Sequence, residues 1–242
     1  MTLSVELLEL AAAATWSPDV HAVVDGWRVS SNGGFTRRLN SATAVGLAET
    51  SLEAKRAVAR WLEERGSPLV VRVTPLTDAT TAESCERNWY LEPRDETIVL
   101  TKAIDGAAAT PDVVSVDPLD ERFVNEFFSI NPRRPLDEDT WTRMIERVGT
   151  DASGLWLDGA AVGFVAVSGS VAFAYSVAVA VDTQRQGLGT RMMAAAESWA
   201  AERGARAMAL QVLGTNVPAR GLYQRLGYSE VYRYHYLQAA SH

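Results

Sequence analysis

The chain contains its own internal comparison. Shifted by 138 residues, segment 51–92 falls on 189–230, and Ala57, Trp61, Glu64, Arg65, Gly66, Thr77, Arg87, Tyr90 and Glu92 recur as Ala195, Trp199, Glu202, Arg203, Gly204, Thr215, Arg225, Tyr228 and Glu230. These nine identities compare with roughly three expected from average residue usage. The strongest stretch is W-x-x-E-R-G, which reads in both places as the end of a helix. A charged last turn is followed by a glycine free to take positive φ. A duplicated unit of 20 to 50 or more residues restricts the fold to architectures in which each copy builds the same supersecondary pattern.

Hydrophobic periodicity supplies that pattern. A helix is expected over 4–14, strands over 27–31 and 35–45 around Asn32-Gly33-Gly34, a helix over 52–65, a strand over 69–73, a helix over 81–90 and a strand over 97–103. Residues 105–111 are small and turn-rich and read as a linker. The second half opens with a strand over 113–116 and helices over 120–128 and 137–148. Strands follow over 154–157, 161–167 and 171–181, then a helix over 188–203 with Leu188, Met192, Ala196 and Trp199 on one face. A strand over 207–212, a helix over 217–226 and a strand over 230–237 complete the chain. Both halves share the order strand, helix, strand, helix, strand. The expected class is α/β, a mixed twisted sheet flanked by helices, divided as 1–104, linker 105–111 and 112–242.

Charge and composition narrow the function. Lys plus Arg is 23 and Asp plus Glu is 30, so 23 − 30 gives −7, and an acidic surface disfavours general nucleic-acid binding. One cysteine, Cys85, excludes an internal disulfide, and the scattered His21, His235 and His242 offer no metal-ligand spacing, so no metal is expected. The first twenty residues carry Glu6, Glu9 and Asp19 and no basic segment, so a cytoplasmic protein is expected. Residues 159–181 are uncharged for 23 positions, long enough to span a bilayer. They are nevertheless rich in Val and interrupted by Ser168-Gly169-Ser170, which favours two buried strands and no membrane association.

The sharpest chemical signal is Gln184-Arg185-Gln186-Gly187-Leu188-Gly189-Thr190, between a strand and a helix. The first N–H groups of a helix lack internal acceptors, and the helix dipole adds positive potential there. Glycines allow close approach of an anion, and Arg185 adds a formal charge. Met192 stands where a dinucleotide fingerprint needs its third glycine, and no Gly-Lys-Ser/Thr is present. What remains, Q-x-x-G-x-G after Val177-Ala178-Val179-Ala180-Val181, resembles the acetyl-CoA loop of the GNAT superfamily of acyl-CoA N-acyltransferases. Downstream, Asn216-Val217-Pro218-Ala219-Arg220-Gly221-Leu222-Tyr223-Gln224-Arg225-Leu226-Gly227-Tyr228 is similar to that family's N-x-x-A-x-x-L-Y-x-x-x-G-[FY] segment.

The resemblance implies a tandem GNAT-like protein whose second copy binds acetyl-CoA and transfers acetyl to an amine of a small molecule or peptide. Backbone groups of Val177, Ala178 and Val179 would meet the pantetheine arm. The segment from Gln184, through the amides of Arg185, Gln186, Gly187, Leu188, Gly189 and Thr190, would hold the pyrophosphate. Asn216 would touch the pantetheine, and Tyr223 would face the thioester sulfur as proton donor. Asn216 also suits a helix N-cap, and Tyr223 also suits a core position. Family members often carry a basic Glu on the long strand, but 171–181 contains no carboxylate. Proton removal would then run through water, Glu126 or Glu138, and a non-catalytic acyl-CoA-binding module is the alternative reading. In the first copy the two loop glycines become Glu49 and Ser51, so that copy should not bind the cofactor. Arg37 and Arg38, adjacent on an expected strand, either meet solvent or contact an anionic part of the acceptor. The chain is expected to work as a monomer or homodimer.

Overall fold

The computed structural model describes residues 3–34, 36–105, 112–131, 138–148 and 151–240. In chain order the elements are α1 (Val5–Thr15), β1 (Val20–Val24), β2 (Trp27–Ser31), β3 (Ser41–Ala44), α2 (Leu52–Glu63), β4 (Val70–Val73), α3 (Ala79–Trp89), β5 (Leu91–Ala103), β6 (Val114–Val116), α4 (Glu121–Ile130), α5 (Glu138–Val148), β7 (Ala152–Leu157), β8 (Ala161–Ser168), β9 (Val171–Val179), α6 (Leu188–Glu202), β10 (Ala207–Leu213), α7 (Val217–Arg225) and β11 (Ser229–Ala239). They gather into two compact units. One comprises Met1–Trp16, Val99–Val212 and Asn216–Val231; the other comprises Ser17–Ile98, Leu213–Thr215 and Tyr232–His242. The division expected from sequence runs in chain order, whereas these units trade segments: α1 and the end of β5 belong with the second half, and most of β11 belongs with the first. Residues 106–111 of the expected linker lie outside the described residues.

The unit holding the glycine loop is layered. Antiparallel β6, β7, β8 and β9 continue to β10, which runs parallel to β9. Successive side chains of a strand point to opposite faces. Phe164 of β8 therefore meets Trp16 (5.8 Å between centroids) and Trp141 (5.6 Å) on one face. Gly163 looks to the other, where a Cβ would meet Met192 of α6 at 3.5 Å. Helix α1 is drawn into this unit by its last turn. Trp16 packs on Tyr175 (4.6 Å) and the Thr15 hydroxyl shares a 2.7 Å hydrogen bond with the Tyr175 phenol. Gly154 of β7 is required for a steric reason, since a Cβ there would lie 2.7 Å from the Phe123 ring of α4. The uncharged run 159–181 supplies β8 and β9, which turn at Gly169 with φ +58°. No described helix is long and apolar enough to cross a membrane.

In the other unit, β1 and β2 form a hairpin whose turn residues Asp25 and Gly26 both have positive φ, as a type I′ turn requires. β3 adds antiparallel to β2 and parallel to β4, and β11 closes antiparallel on β4 with Tyr236 opposite Arg72. Helices α2 and α3 bury Val58, Leu62, Cys85 and Trp89 against Trp27, Val71 and Leu237. Two expectations change here. β1 is a short strand with no buried residue, and its sequence Val-His-Ala-Val-Val shows no alternation of apolar and polar residues. The strand expected over 35–45 is reduced to β3, and Arg37–Leu39 form a 3₁₀ turn. Buried Asn40 explains the change, because its Oδ1 accepts from the amides of Asn32 and Gly34 (both 3.0 Å) and its Nδ2 donates to Thr36 O (2.7 Å). Such local bonds compete with a strand ladder. Phe35 lies outside the described residues.

Cys85 makes this core testable. Burial, with the charge of Glu86 adding, pushes its thiol up to about 12, so at pH 8 it is neutral and enclosed. Native protein is expected to leave an aromatic disulfide reagent unreacted, while denatured protein releases one equivalent per chain. Rapid stoichiometric reaction of the native form would show that this core is open.

Candidate active site

The site begins where a sheet comes apart. β9 pairs with β10 from Val171↔Ala207 to Ala174↔Leu210 and no further, although both strands continue. Two residues on, Ser176 takes a left-handed φ of +50°. The register with β8 shifts here, from Phe164↔Tyr175 to Val162↔Ala178, leaving Ser176 and Val177 opposite the single residue Gly163. This is a β-bulge, which bends one strand away from its neighbour. Asn131, the C-cap of α4, donates from Nδ2 to the Ser176 carbonyl at 3.4 Å.

Beyond the bulge, β9 is paired on the β8 side only. The Ala180 amide donates to Ala160 O at 2.8 Å, so alternation turns the backbone groups of Ala178 toward β8 and those of Val177 and Val179 toward the gap. The Val179 carbonyl indeed accepts from the Gln184 side chain at 3.3 Å on that open side. Of the three strand residues picked out by sequence, Val177 turns its main-chain groups and Val179 its amide toward the gap, and Ala178 spaces them.

The chain then makes a 3₁₀ turn over Val181–Thr183 and enters the glycine loop. Arg185 (φ +67°) and Gly187 (φ +80°) are both left-handed. Gly187 is the N-cap of α6, so no side chain caps this helix, and its first turn holds no acidic residue. Thr190 and Arg191 both donate to the Gly187 carbonyl (3.0 and 3.2 Å), and the amides of Gly187, Leu188 and Gly189 have no acceptor among the described residues. Gln184, Arg185, Gln186 and Gly187 are exposed, whereas Leu188 anchors the turn in the core. Such amides with the helix dipole behind them fit a pyrophosphate.

The equivalent helix start in the other unit is closed. The Ser51 hydroxyl caps α2 by accepting from Ala54 N at 3.1 Å, and Glu53 sits in the first turn. The indole N–H groups of Trp27 and Trp89 occupy the carbonyls of Glu49 and Thr50 (2.7 and 2.9 Å). The acceptor that is missing at the start of α6 is supplied at α2 by the protein itself.

Gly189 brings α7 close to the loop, since a Cβ there would lie 2.9 Å from Leu222 Cδ2. Asn216 is the N-cap of α7, its Oδ1 accepting from Ala219 N at 3.2 Å. The capping role is therefore real, and Nδ2 remains as a donor. Tyr223 is 9% exposed, and burial holds its phenol above the usual value. Helix α7 ends in a Schellman motif: Tyr228 N–H bonds Tyr223 O (3.0 Å), Gly227 N–H bonds Gln224 O (3.1 Å), and Gly227 has φ +85°. The motif brings the Tyr228 ring edge-on to Tyr223, with centroids 5.8 Å apart.

Other candidates are placed as follows. Glu126 lies on α4, with Oε1 buried and without a hydrogen bond among the described residues; the side chain of Glu138 lies outside them. Arg37 forms an ion pair with Asp95 and donates to Gln238 (3.1 Å). Arg38 lies within electrostatic reach of the buried Tyr234 phenol, so neither arginine is on a solvated strand edge. No group of three His, Cys, Asp or Glu among the described residues could hold a metal ion. The sequence reading passed over Ser176, Gly163 and Glu197. The last was detectable, since Met193, Glu197 and Ala200 form a buried stripe containing one charge.

A strand splayed at a bulge, a glycine loop opening the following helix without a cap and an Asn/Tyr helix beyond it are the arrangement of a GNAT-type N-acyltransferase. Comparison with known proteins agrees. Residues 2–237 match the family described as "Probable histone acetyltransferase Rv0428c C-terminal", and the chain belongs to that family. It is 23% identical to the uncharacterized N-acetyltransferase YobR of Bacillus subtilis (strain 168), over 95% of this chain and 96% of that protein. Its fold resembles a GCN5-related N-acetyltransferase from Kribbella flavida (TM-score 0.69, 16% identity, 93% and 91% of the two chains covered). It also resembles a tandem GNAT protein from the clavulanic acid biosynthesis pathway (TM-score 0.61, 17% identity, 93% and 85% covered).

Gly187→Glu places a carboxylate, and a side chain on a left-handed backbone, at the uncapped end of α6. Calorimetry is expected to show no measurable acetyl-CoA binding by a variant that remains folded by circular dichroism. Undiminished affinity would remove the loop from the site.

Proposed function

We propose that the unit carrying the glycine loop uses acetyl-CoA to acetylate an amine of a small molecule or peptide by direct attack. The observation that carries this reading is the run of free main-chain donors: Val177 and Val179 on the open side of β9, then Gly187, Leu188 and Gly189 at the start of α6. Acetyl-CoA supplies the acetyl group as an activated thioester. The amides of the loop and Arg185 neutralise its diphosphate, and Asn216 Nδ2 is available to the pantetheine arm. An N–H of Val177 or Val179 stabilises the negative charge that develops on the carbonyl oxygen.

A substrate amine is protonated near neutral pH, with a Lys-like pKa of about 10.4. β9 carries no carboxylate, so the amine gives its first proton to water or to Glu126 on α4. After attack the nitrogen gives up a second proton to solvent; Tyr223 gives its phenolic proton to the departing sulfur and recovers one from solvent, so one proton is released overall. No covalent acyl-enzyme is needed. The first copy, with its capped helix start, plays no part in binding the cofactor.

Tyr223→Phe is expected to lower kcat while leaving the acetyl-CoA dissociation constant nearly unchanged; an unaltered kcat would remove the acid role. Burial raises the Tyr223 phenol, so the neutral donor persists above the ordinary phenol value of about 10. Any alkaline loss of kcat owed to this group should therefore begin beyond that pH, and a Tyr223-dependent limb near pH 8 would contradict the assignment. The missing strand carboxylate favours one other reading, an acyl-CoA-binding module without turnover. Tight cofactor binding with no thiol release across a broad amine panel would support it.

A further inference from the structure

We propose that Glu197 is a positioning residue for Tyr223, acting through Tyr228. This inference rests on the reading of Tyr223 as the proton donor. Glu197 lies on the buried face of α6 with its side chain 8% exposed, among Met193, Ala196 and Ala200. Both carboxylate oxygens are occupied. Oε2 receives Lys102 Nζ of β5 at 2.7 Å, and Oε1 receives the Tyr228 hydroxyl at 2.8 Å. Lys102 Nζ also lies 5.7 Å from the centre of the Tyr228 ring.

The geometry runs from this carboxylate to the proposed donor without a loose joint. Tyr228 is held at its hydroxyl by Glu197 and at its backbone by the Schellman bond to Tyr223 O. Its ring therefore has one position, and the Tyr223 ring packs edge-on against it. A phenol at the end of a short helix would otherwise be free to swing about its side-chain torsions, and a small misplacement of a reacting group is costly. A buried carboxylate held by a half-exposed lysine is a poor way to add stability, because an apolar side chain of similar volume often does as well or better. Its presence on a stripe of Met and Ala fits a role in fixing geometry.

The chain also contains its own control. At the 138-residue offset the first copy has Ala59 for Glu197 and Cys85 for Tyr223. Its equivalent of Tyr228, Tyr90, takes the left-handed position itself (φ +54°) and stands 76% exposed. The copy whose helix start is closed to an anion thus lacks the donor, the clamp and the carboxylate that fixes the clamp.

The test is a cycle with Tyr228→Phe, Glu197→Ala and Tyr223→Phe, each alone and each of the first two combined with the third. kcat, acetyl-CoA affinity by calorimetry and melting temperature are measured on the full chain. In the parent background, Tyr228→Phe and Glu197→Ala are expected to lower kcat by roughly tenfold or more while acetyl-CoA affinity changes by less than about twofold. In the Tyr223→Phe background both changes should alter kcat by less than about twofold, since groups acting through one another are not additive. Equal losses in the two backgrounds would reduce Glu197 to a structural role and overturn the inference. Full kcat in both variants while Tyr223→Phe is impaired would overturn the inference and leave the donor standing. Full kcat in Tyr223→Phe would remove the donor and the inference together. Should Glu197→Ala not fold, Tyr228→Phe decides, because it keeps the ring and the Schellman motif.

Discussion

Strand β9 gives up its β10 partner at Ala174, and the proposed acetyl-CoA site is built on the main-chain groups left over. A sheet normally consumes every N–H and C=O it has, and an exposed row of them is a liability. Here a left-handed Ser176 opposite Gly163 turns the strand out of register, so that the amides of Val177 and Val179 face the gap rather than a neighbouring strand. The glycine loop repeats the device one element later, with a helix that starts on Gly187 and has no cap. Neither feature requires a charged side chain in the core. Both are ways of leaving backbone unsatisfied at a chosen place.

The duplicated half shows what happens when that restraint is lifted. Ser51 caps α2, Glu53 reverses the favourable sign at its first turn, and two tryptophan indoles take up the carbonyls just before it. The element order survives in both copies because packing of amphipathic helices on strands demands it. The uncapped helix start does not survive, because it depends on a few positions where the favourable local choice, a capping Ser or an ordinary turn, is refused. The same contrast extends to α7. Gly227 and Tyr228 continue that helix into a motif that holds Tyr223, while Trp89 and Tyr90 end α3 with an exposed ring.

Much of this was legible in the sequence. The W-x-x-E-R-G endings, the long uncharged run around Ser168-Gly169-Ser170 and the Q-x-x-G-x-G loop gave the helices, the β8–β9 pair and the start of α6 within a few residues. Three things were not legible, each for a physical reason. The exchange of α1, the end of β5 and most of β11 between units is decided by long-range contacts such as Thr15 with Tyr175 and Tyr236 opposite Arg72, which no local pattern encodes. The 3₁₀ turn at Arg37–Leu39 is set by the side chain of Asn40 reaching back across eight residues, against the strand propensity around it. The bulge at Ser176 shows only as a serine in a valine-rich strand, and its counterpart Gly163 reads as an ordinary strand glycine until the register is known.

Amide hydrogen exchange with and without coenzyme A reports on the very N–H groups that a bound cofactor would engage. The ligand is expected to slow exchange at Val177, Val179 and Gly187 to Gly189, and to leave the amides of Ser51 to Ala54 unchanged. Unaltered exchange along β9 and the α6 start, or protection at α2 in their place, would contradict the proposed site.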